Sequence, residues 1–258
     1  MKIVIFTSNS LRHKYLANSL SSLVDDSLII SECKPRDDSD EKKESTLIDE
    51  HFKLRYETEK KYFFDNEFFT EKTLPLMYKE VNTKSTFDTV KKFQPDLMIV
   101  FGSSIIREPY LSLLKPGRFI NLHLGLSPYY RGSGTNFWPF VNEELQFVGS
   151  TILHLDSGID TGDIICHVTP KIELKDDVHT IGCKVIQESV KQLSKIILLV
   201  KQDIELPRIK QWKIDNEKYY KNNDFNEKIL LDYKEKLKNG LIKNFLKSIT
   251  YPKLCLLD

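Results

Sequence analysis

Short apolar runs alternate with polar, helically spaced stretches along most of this chain. Residues 2–7, KIVIFT, form a β-branched run that stops at Ser8-Asn9-Ser10, and LRHKYLANSLSSL from residue 11 carries leucines at helical spacing. A second apolar run, SLIISE at 27–32, follows at the distance of a βαβ unit. The tract KPRDDSDEKKES at 34–45 mixes acids and bases and reads as a solvated loop or disordered excursion. From 46 to 93 the pattern is helical and heavily charged, with Tyr56, Tyr62, Phe63 and Phe64 among the charges. Gln94-Pro95 then opens the strand DLMIVFGS, because a proline at a strand entrance removes no ladder hydrogen bond.

Residues 105–115 predict a short helix, and RFINLH at 118–123 the next strand. NFWPFVNEEL predicts another short helix, followed by the strands FVGSTILHL and IICHVTPKI and a long helix over about 176–202. Strands alternating with helices imply an α/β class with a doubly wound, Rossmann-like, mostly parallel sheet over residues 1–206. The Lys- and Asn-rich remainder, 207–258, has helical pieces at 224–236 and 239–248 and reads as a small, mainly helical carboxyl-terminal appendage.

Charge narrows the functional classes. Lys and Arg number 38 against 37 Asp and Glu, a net +1, so no global field draws nucleic acid to the chain and none is expected as a partner. Cys33, Cys166, Cys183 and Cys255 are scattered without a CxxC pair and read as reduced packing residues of a cytoplasmic protein, with no metal set among them. The most apolar helix candidate, VIQESVKQLSKIILLVK, carries Glu188, Lys191, Lys195 and Lys201 and cannot span a bilayer. MKIVIFTSNS turns polar before a signal peptide's apolar region is complete, so the reading is a soluble chain without a membrane partner. The apolar tail ITYPKLCLL would either pair with a second copy in a homodimer or cover an edge of the sheet.

The candidate chemistry lies in NLHLGLSPYYRGSGTNFWPF and LDSGIDTGDII. Asn121, His123 and Asp160 are an amide, an imidazole and a carboxylate from separate segments, the groups needed to move an acyl unit onto an amine. The amide can donate to a developing oxyanion, the imidazole can share that task or handle a proton, and the carboxylate can orient the ring or relay the proton. Read singly, Asn121 and His123 could instead be a strand end with a satisfied turn histidine. Asp156, Asp160 and Asp163 suggest part of a calcium loop, but the twelfth position from Asp156 is His167 and not glutamate, so no metal is assigned. Asp156 and Asp163 read as turn formers, with Gly158 and Gly162 permitting the bends.

NLHLGLSPYYRG and GSTILHLDSGIDTGDII resemble the two signature blocks of the 10-formyltetrahydrofolate-dependent formyltransferase superfamily, and most closely the nucleotide-sugar N-formyltransferases. The resemblance runs from about residue 95 to 170, more loosely back to residue 1, and is slight over the last 50 residues. It implies that Asn121 holds the oxyanion, that His123 assists beside the amine, and that Asp160 orients His123 and accepts a proton through water. It further implies a reduced folate, 10-formyltetrahydrofolate, as co-substrate, held by Ser104, Ile105, Ile106 and Arg107 and by Leu155, Asp156, Gly158 and Ile159. The acceptor it implies is a nucleotide-linked amino sugar, in a cytoplasmic step of lipopolysaccharide biosynthesis. Ser8, Ser10, Arg12 and His13 would hold phosphate or diphosphate at a helix amino terminus, with Tyr129, Tyr130 and Arg131 also on the substrate side.

Four departures qualify the resemblance. A Ser-Asn-Ser turn replaces the glycine-rich phosphate loop of glycinamide ribonucleotide enzymes, which counts against a ribonucleotide monophosphate. Leu153 stands where many relatives have histidine, and His154 falls on the other strand face and takes no catalytic role. In the aromatic loop GSGTNFWPF, Trp138 could stack a base or sugar or pack in the core. Residues 207–258 are too few and too helical for the carboxyl-terminal barrel of methionyl-tRNA formyltransferases. Formylation of methionyl-tRNA and a catalytically silent binding module of the same fold remain the alternatives.

Overall fold

The computed structural model describes residues 1–33, 46–215 and 217–257. The charged tract at 34–45, expected to be solvated, lies outside the described residues. In chain order the elements are β1 (Lys2–Ser8), α1 (Leu11–Ser21), β2 (Asp26–Cys33), α2 (Leu47–Phe63), β3 (Thr73–Met77), α3 (Lys84–Phe93), β4 (Leu97–Val100) and β5 (Phe119–Leu124). They continue with β6 (Tyr130–Gly132), α4 (Trp138–Val141), β7 (Ser150–His154), β8 (Ile164–Val168), α5 (Val178–Lys201), β9 (Lys218–Tyr220), α6 (Glu227–Lys238) and α7 (Leu241–Lys247).

One sheet carries the fold, in the order β3-β2-β1-β4-β5-β7-β8. Its first five strands are parallel, whereas β7 runs antiparallel to both β5 and β8. The chain winds outward from β1 through β2 to β3 and then returns to the other side of β1 at β4, and this reversal leaves a crevice beyond the carboxyl ends of the strands. Alternation along each strand sorts the side chains between two faces. Ile3 and Ile5 join Ile99, Ile120 and Leu122 under α1 and α5, while Val4 and Phe6 join Met98, Val100, Ile106 and Tyr110 on the opposite face.

Two predicted elements differ from those observed. Residues 46–93 are not helical throughout: Thr73–Met77 forms the edge strand β3, parallel to β2. Only the edge of a sheet accommodates Pro75 comfortably, and that proline inside residues 74–77 hides the strand from a pattern reading, while neither of its faces is fully buried. Residues 105–115 hold one short 3-10 turn, Tyr110–Ser112, in place of a helix. There the Asn82 side chain accepts from the Arg107 N–H and donates to the Ile105 carbonyl, at 2.9 and 2.8 Å, while Ile106 and Tyr110 enter the core; the backbone is committed to tertiary partners.

The carboxyl-terminal segment is joined to the sheet at β8. Ile164 and Ile209 exchange both backbone hydrogen bonds, at 2.7 and 3.0 Å, and the Cys255 carbonyl accepts from the His167 N–H at 2.7 Å. The buried His167 ring satisfies both nitrogens, with Nε2 donating to the Ser127 carbonyl at 2.7 Å and Nδ1 accepting from the Cys255 N–H at 2.9 Å. Leu230, Tyr233, Leu241 and Ile242 of α6 and α7 share an apolar cluster with Phe137, Phe140, Val178 and Ile181. No described helix is long and apolar enough to cross a membrane.

Helix α5 closes this cluster and begins at a capping box. The Asp177 carboxylate accepts from the His179 and Thr180 N–H groups at 2.9 and 2.8 Å, and Thr180 Oγ1 accepts from the Asp177 N–H at 2.9 Å. Asp177→Ala should therefore cost about 1 kcal/mol of stability, read as a lower urea midpoint at unchanged m-value. An unmoved midpoint would remove the cap from the account.

Candidate active site

Asn121 and His123 sit two residues apart on β5, so both project to one side of the sheet while Leu122 enters the core between them. Gly125 follows with φ 140°, and a Cβ there would lie 2.7 Å from Thr135 Cβ and 2.9 Å from His123 Nε2; only glycine lets the chain leave the strand without crowding the imidazole.

Asp160 comes from the loop between β7 and β8 and has φ 53°, a left-handed conformation that aspartate tolerates better than most residues. Several contacts hold that loop. The Asp156 carboxylate accepts from the Gly158 N–H at 3.0 Å and from Thr161 Oγ1 at 2.8 Å, and the Leu155 N–H donates to the Phe119 carbonyl at 2.9 Å. From the carboxyl-terminal segment, Gln211 Nε2 donates to the Asp160 and Gly162 carbonyls at 2.8 and 2.9 Å. A Cβ on Gly162 would lie 1.8 Å from the His154 carbonyl oxygen, so the loop can lie this close to β7 only with glycine there.

These constraints bring the three side chains together around one carboxylate. Asn121 Nδ2 donates to Asp160 Oδ1 at 3.0 Å, and His123 Nδ1 lies 3.2 Å from Asp160 Oδ2, within reach to donate. The His123 and Asp160 side chains are only 7% and 15% exposed. His123 Nε2 faces the Tyr130 carbonyl at 3.3 Å. An amide nitrogen carries two N–H groups, so Asn121 keeps one donor for a further acceptor after serving Asp160.

The three residues open into a cavity of about 890 Å³ whose lining also includes Arg12 and His13. Ser8 and Ser10 lie behind that lining, with their hydroxyls on His13 Nδ1, at 2.8 Å for Ser10. Lys14 turns away and donates to the Glu67 carbonyl at 2.7 Å. Tyr129 and Tyr130 line a different cavity, of about 600 Å³, where the Tyr130 hydroxyl donates to Glu144 at 2.5 Å; burial, reinforced by Glu144, pushes that phenol's pKa up. Arg131 pairs with Glu217 at 2.5 Å. Of the Tyr129-Tyr130-Arg131 run, it is the backbone of Tyr130 that touches the triad. Trp138 is buried and stacks on Tyr220 at 4.0 Å, with Nε1 donating to the Ser133 carbonyl.

The two segments expected to hold folate meet through Ile106 and Leu155, which share an apolar cluster. Ile105 and Ile159 stay exposed. The Ser104 N–H donates at 2.5 Å to Glu32, a fully buried carboxylate at the end of β2 that also accepts from the Lys79 N–H. Ser104 Oγ is buried with no hydrogen-bond partner among the described residues. Among the described residues no group of three His, Cys, Asp or Glu side chains is placed to hold a metal ion.

Sequence reading missed a second group of cavity residues: His51 and Arg55 from α2, His179 from α5, and Lys221 with Phe225 beyond β9. One signal was available, since His51, Arg55 and Glu59 recur every four residues and so share one face of α2. The His51 and His179 rings lie 4.5 Å apart. Burial first, with Arg55 and Lys234 also opposing charge, lowers His51 to about 4; burial and then His51 itself lower His179 to about 4, while Asp177 pulls both the other way. The Glu59 carboxylate, under Arg12 and 3.6 Å from Arg55 Nε, is 4% exposed.

Residues 1–197 match the family described as formyl transferase. In sequence, the chain is 34% identical over 123 residues to methionyl-tRNA formyltransferase of Desulforamulus reducens, a match spanning 48% of this chain and 38% of that protein. In structure, it is similar to a formyltransferase from Anoxybacillus kamchatkensis in complex with UDP-4,6-dideoxy-4-formamido-L-AltNAc and tetrahydrofolate, with TM-score 0.52, 20% identity and 90% of each chain covered. It is also similar to phosphoribosylglycinamide formyltransferase from Anaplasma phagocytophilum, with TM-score 0.57, 16% identity, and 86% of this chain and 98% of that one covered. At these identities the two structures establish a shared fold.

The paired histidines make stability depend on pH. Their folded pKa of about 4 lies below the ordinary 6.5, so between those values the unfolded chain binds more protons and stability rises with pH. Burial lowers His154 and His167 in the same direction. The melting temperature should therefore fall as pH drops from about 6.5 toward 4, and His179→Gln should flatten that dependence. An equally steep fall in the variant would show that the pair contributes nothing.

Proposed function

This chain belongs to the formyl transferase family, and from that membership we propose that it transfers a formyl group from 10-formyltetrahydrofolate to the amino group of a nucleotide-linked amino deoxysugar. The observation that carries the reading is the Asp160 carboxylate, which holds Asn121 and His123 at 3.0 and 3.2 Å on the wall of a cavity large enough for a nucleotide-linked substrate. The segments joined through Ile106 and Leu155 suit a reduced folate, since the exposed Ile105 and Ile159 offer apolar cover. When bound, 10-formyltetrahydrofolate supplies an acyl carbon attached to a nitrogen leaving group.

The residues divide the remaining work. As an uncharged amine adds to the acyl carbon, negative charge grows on the acyl oxygen, and the free N–H of Asn121 is the donor preorganised to meet it. His123, fixed between Asp160 at Nδ1 and the Tyr130 carbonyl at Nε2, keeps its ring on the cavity wall beside the reacting groups. Asp160 takes the proton released by the amine through water, and the transfer ends as the carbon–nitrogen bond to the folate breaks and the departing nitrogen takes up a proton, so the carboxylate orients before the step and accepts during it. The low exposure of His123 and Asp160 strengthens the interaction between them.

The structural neighbour carrying a UDP-linked formamido sugar supports the nucleotide-sugar acceptor. A second reading, methionyl-tRNA as acceptor, is favoured by the sequence relatives, which carry that name. Against it stands the near-zero net charge, which provides little phosphate neutralisation. The assembled triad argues against a silent binding module. The resemblance that points to the sugar acceptor also points to a cytoplasmic step in lipopolysaccharide assembly.

Formyl transfer measured with UDP- and dTDP-linked amino sugars and with methionyl-tRNA should be seen with a nucleotide sugar and not with the tRNA. Asp160→Asn should lower kcat by roughly 10²–10⁴-fold, and Asn121→Ala by roughly 10²–10³-fold, with circular dichroism unchanged. Formylation of the tRNA alone would reverse the acceptor assignment, and full activity in Asp160→Asn would end the mechanism.

A further inference from the structure

The cavity is electrically lopsided. Asp160 is the only carboxylate-bearing residue among its described lining residues, while Arg12, Arg55 and Lys221 line it as cations. Glu59 sits behind the lining, accepting from Arg12 Nε at 2.7 Å and from Arg12 Nη2, and lying 3.6 Å from Arg55 Nε. One carboxylate thus serves two guanidinium groups. It is 4% exposed, whereas the Arg55 side chain is 45% exposed and lines the cavity. The Arg55 guanidinium also lies 4.8 Å from the centre of the Phe52 ring, a cation–π contact that ties it to this wall.

Aromatic rings continue this wall. Phe52 is 42% exposed and packs at 5.8 Å against Phe225, and the His51 ring touches both at 5.5 Å. All three line the cavity. Cations beside half-exposed rings are what a phosphorylated heteroaromatic ligand requires, since the phosphates need charge and the base needs a face. His51 and His179, kept neutral by burial, add ring N–H donors without further charge.

We propose that Arg12, Arg55 and Lys221 form a diphosphate subsite, with Phe52 and Phe225 as the stacking wall for the attached base, so that this part of the cavity holds the nucleoside diphosphate of the acceptor. The charges favour a diphosphate: the three cations less the Glu59 carboxylate leave two positive charges, matching the two negative charges of a doubly esterified diphosphate. Lys221 and Phe225 lie beyond the 1–197 stretch matched by the family, so the carboxyl-terminal segment completes the subsite. The proposal rests on the nucleotide-sugar reading above and specifies which side chains recognise the nucleotide.

Calorimetric titration of the full chain with UDP, dTDP, UMP and pyrophosphate tests it. A nucleoside diphosphate should bind at least about tenfold more tightly than the monophosphate, and more weakly as salt rises. Arg55→Gln and the exposed Lys221→Gln should each weaken diphosphate binding by about tenfold, with cooperative melting retained. Phe52→Ala should weaken the nucleotide by roughly fivefold or more while leaving pyrophosphate unchanged. Equal binding by wild type and both charge variants, equal binding of mono- and diphosphate, or no binding of any nucleotide would overturn the subsite. Charge-dependent diphosphate binding by a chain that formylates no nucleotide sugar would keep the subsite and overturn the acceptor assignment. Formylation of a nucleotide-linked amine with unchanged KM in both charge variants would do the reverse.

Discussion

The candidate site depends on one carboxylate held in an uncommon backbone conformation. Asp160 can bridge Asn121 and His123 only because its loop doubles back toward β5 at φ 53°. The surroundings over-determine that conformation: the Asp156 side chain closes the loop on itself, the Leu155 N–H ties it to β5, and Gln211 holds two of its carbonyls. A left-handed non-glycine residue persists when its neighbours leave it no alternative. The carboxylate is thereby fixed before any substrate arrives, which is the condition for electrostatic stabilisation without reorganisation.

Charge is distributed along the cavity in keeping with this. Negative charge is concentrated at Asp160, where the proposed chemistry releases a proton, and positive charge gathers on Arg12, Arg55 and Lys221, where the proposed nucleotide would lie. Between the extremes, burial keeps His51 and His179 neutral. Protonating either would add charge beside Arg55, so the low dielectric that strengthens ion pairing at Glu59 also forbids further cations nearby.

The carboxyl-terminal segment contributes to the site as well as to the fold. It meets β8 through Ile209 and Cys255, supplies Gln211 to the aspartate loop, and brings Lys221 and Phe225 to the cavity. The apolar tail, read from sequence as covering a sheet edge or pairing with a second copy, exchanges hydrogen bonds with His167 on β8. Damage to this segment should therefore be felt at the triad, although it lies far from Asp160 in the chain.

Local pattern was enough to read the alternating strands and helices, and to see that Asn121 and His123, two apart on a strand, must share a face. It also marked Asp160 within a glycine-punctuated loop. Local pattern failed at β3, where a proline and partial exposure hide an edge strand, and at 105–115, where Asn82 takes the backbone groups a helix would use. Tyr129 and Tyr130 stood close to the signature in sequence, yet their side chains line another cavity together with Glu144, Phe147 and Lys218. Gln211 and Lys221 carried no sequence signal as site residues, and His51 and Arg55 only their shared face on α2. Their place in the site follows from α2 packing against α1 and α5, and from the last segment crossing the sheet edge. Strand and helix periods are short-range and written in the order of residues; which distant side chains converge on a cavity is decided by packing between elements, and only the folded chain settles that.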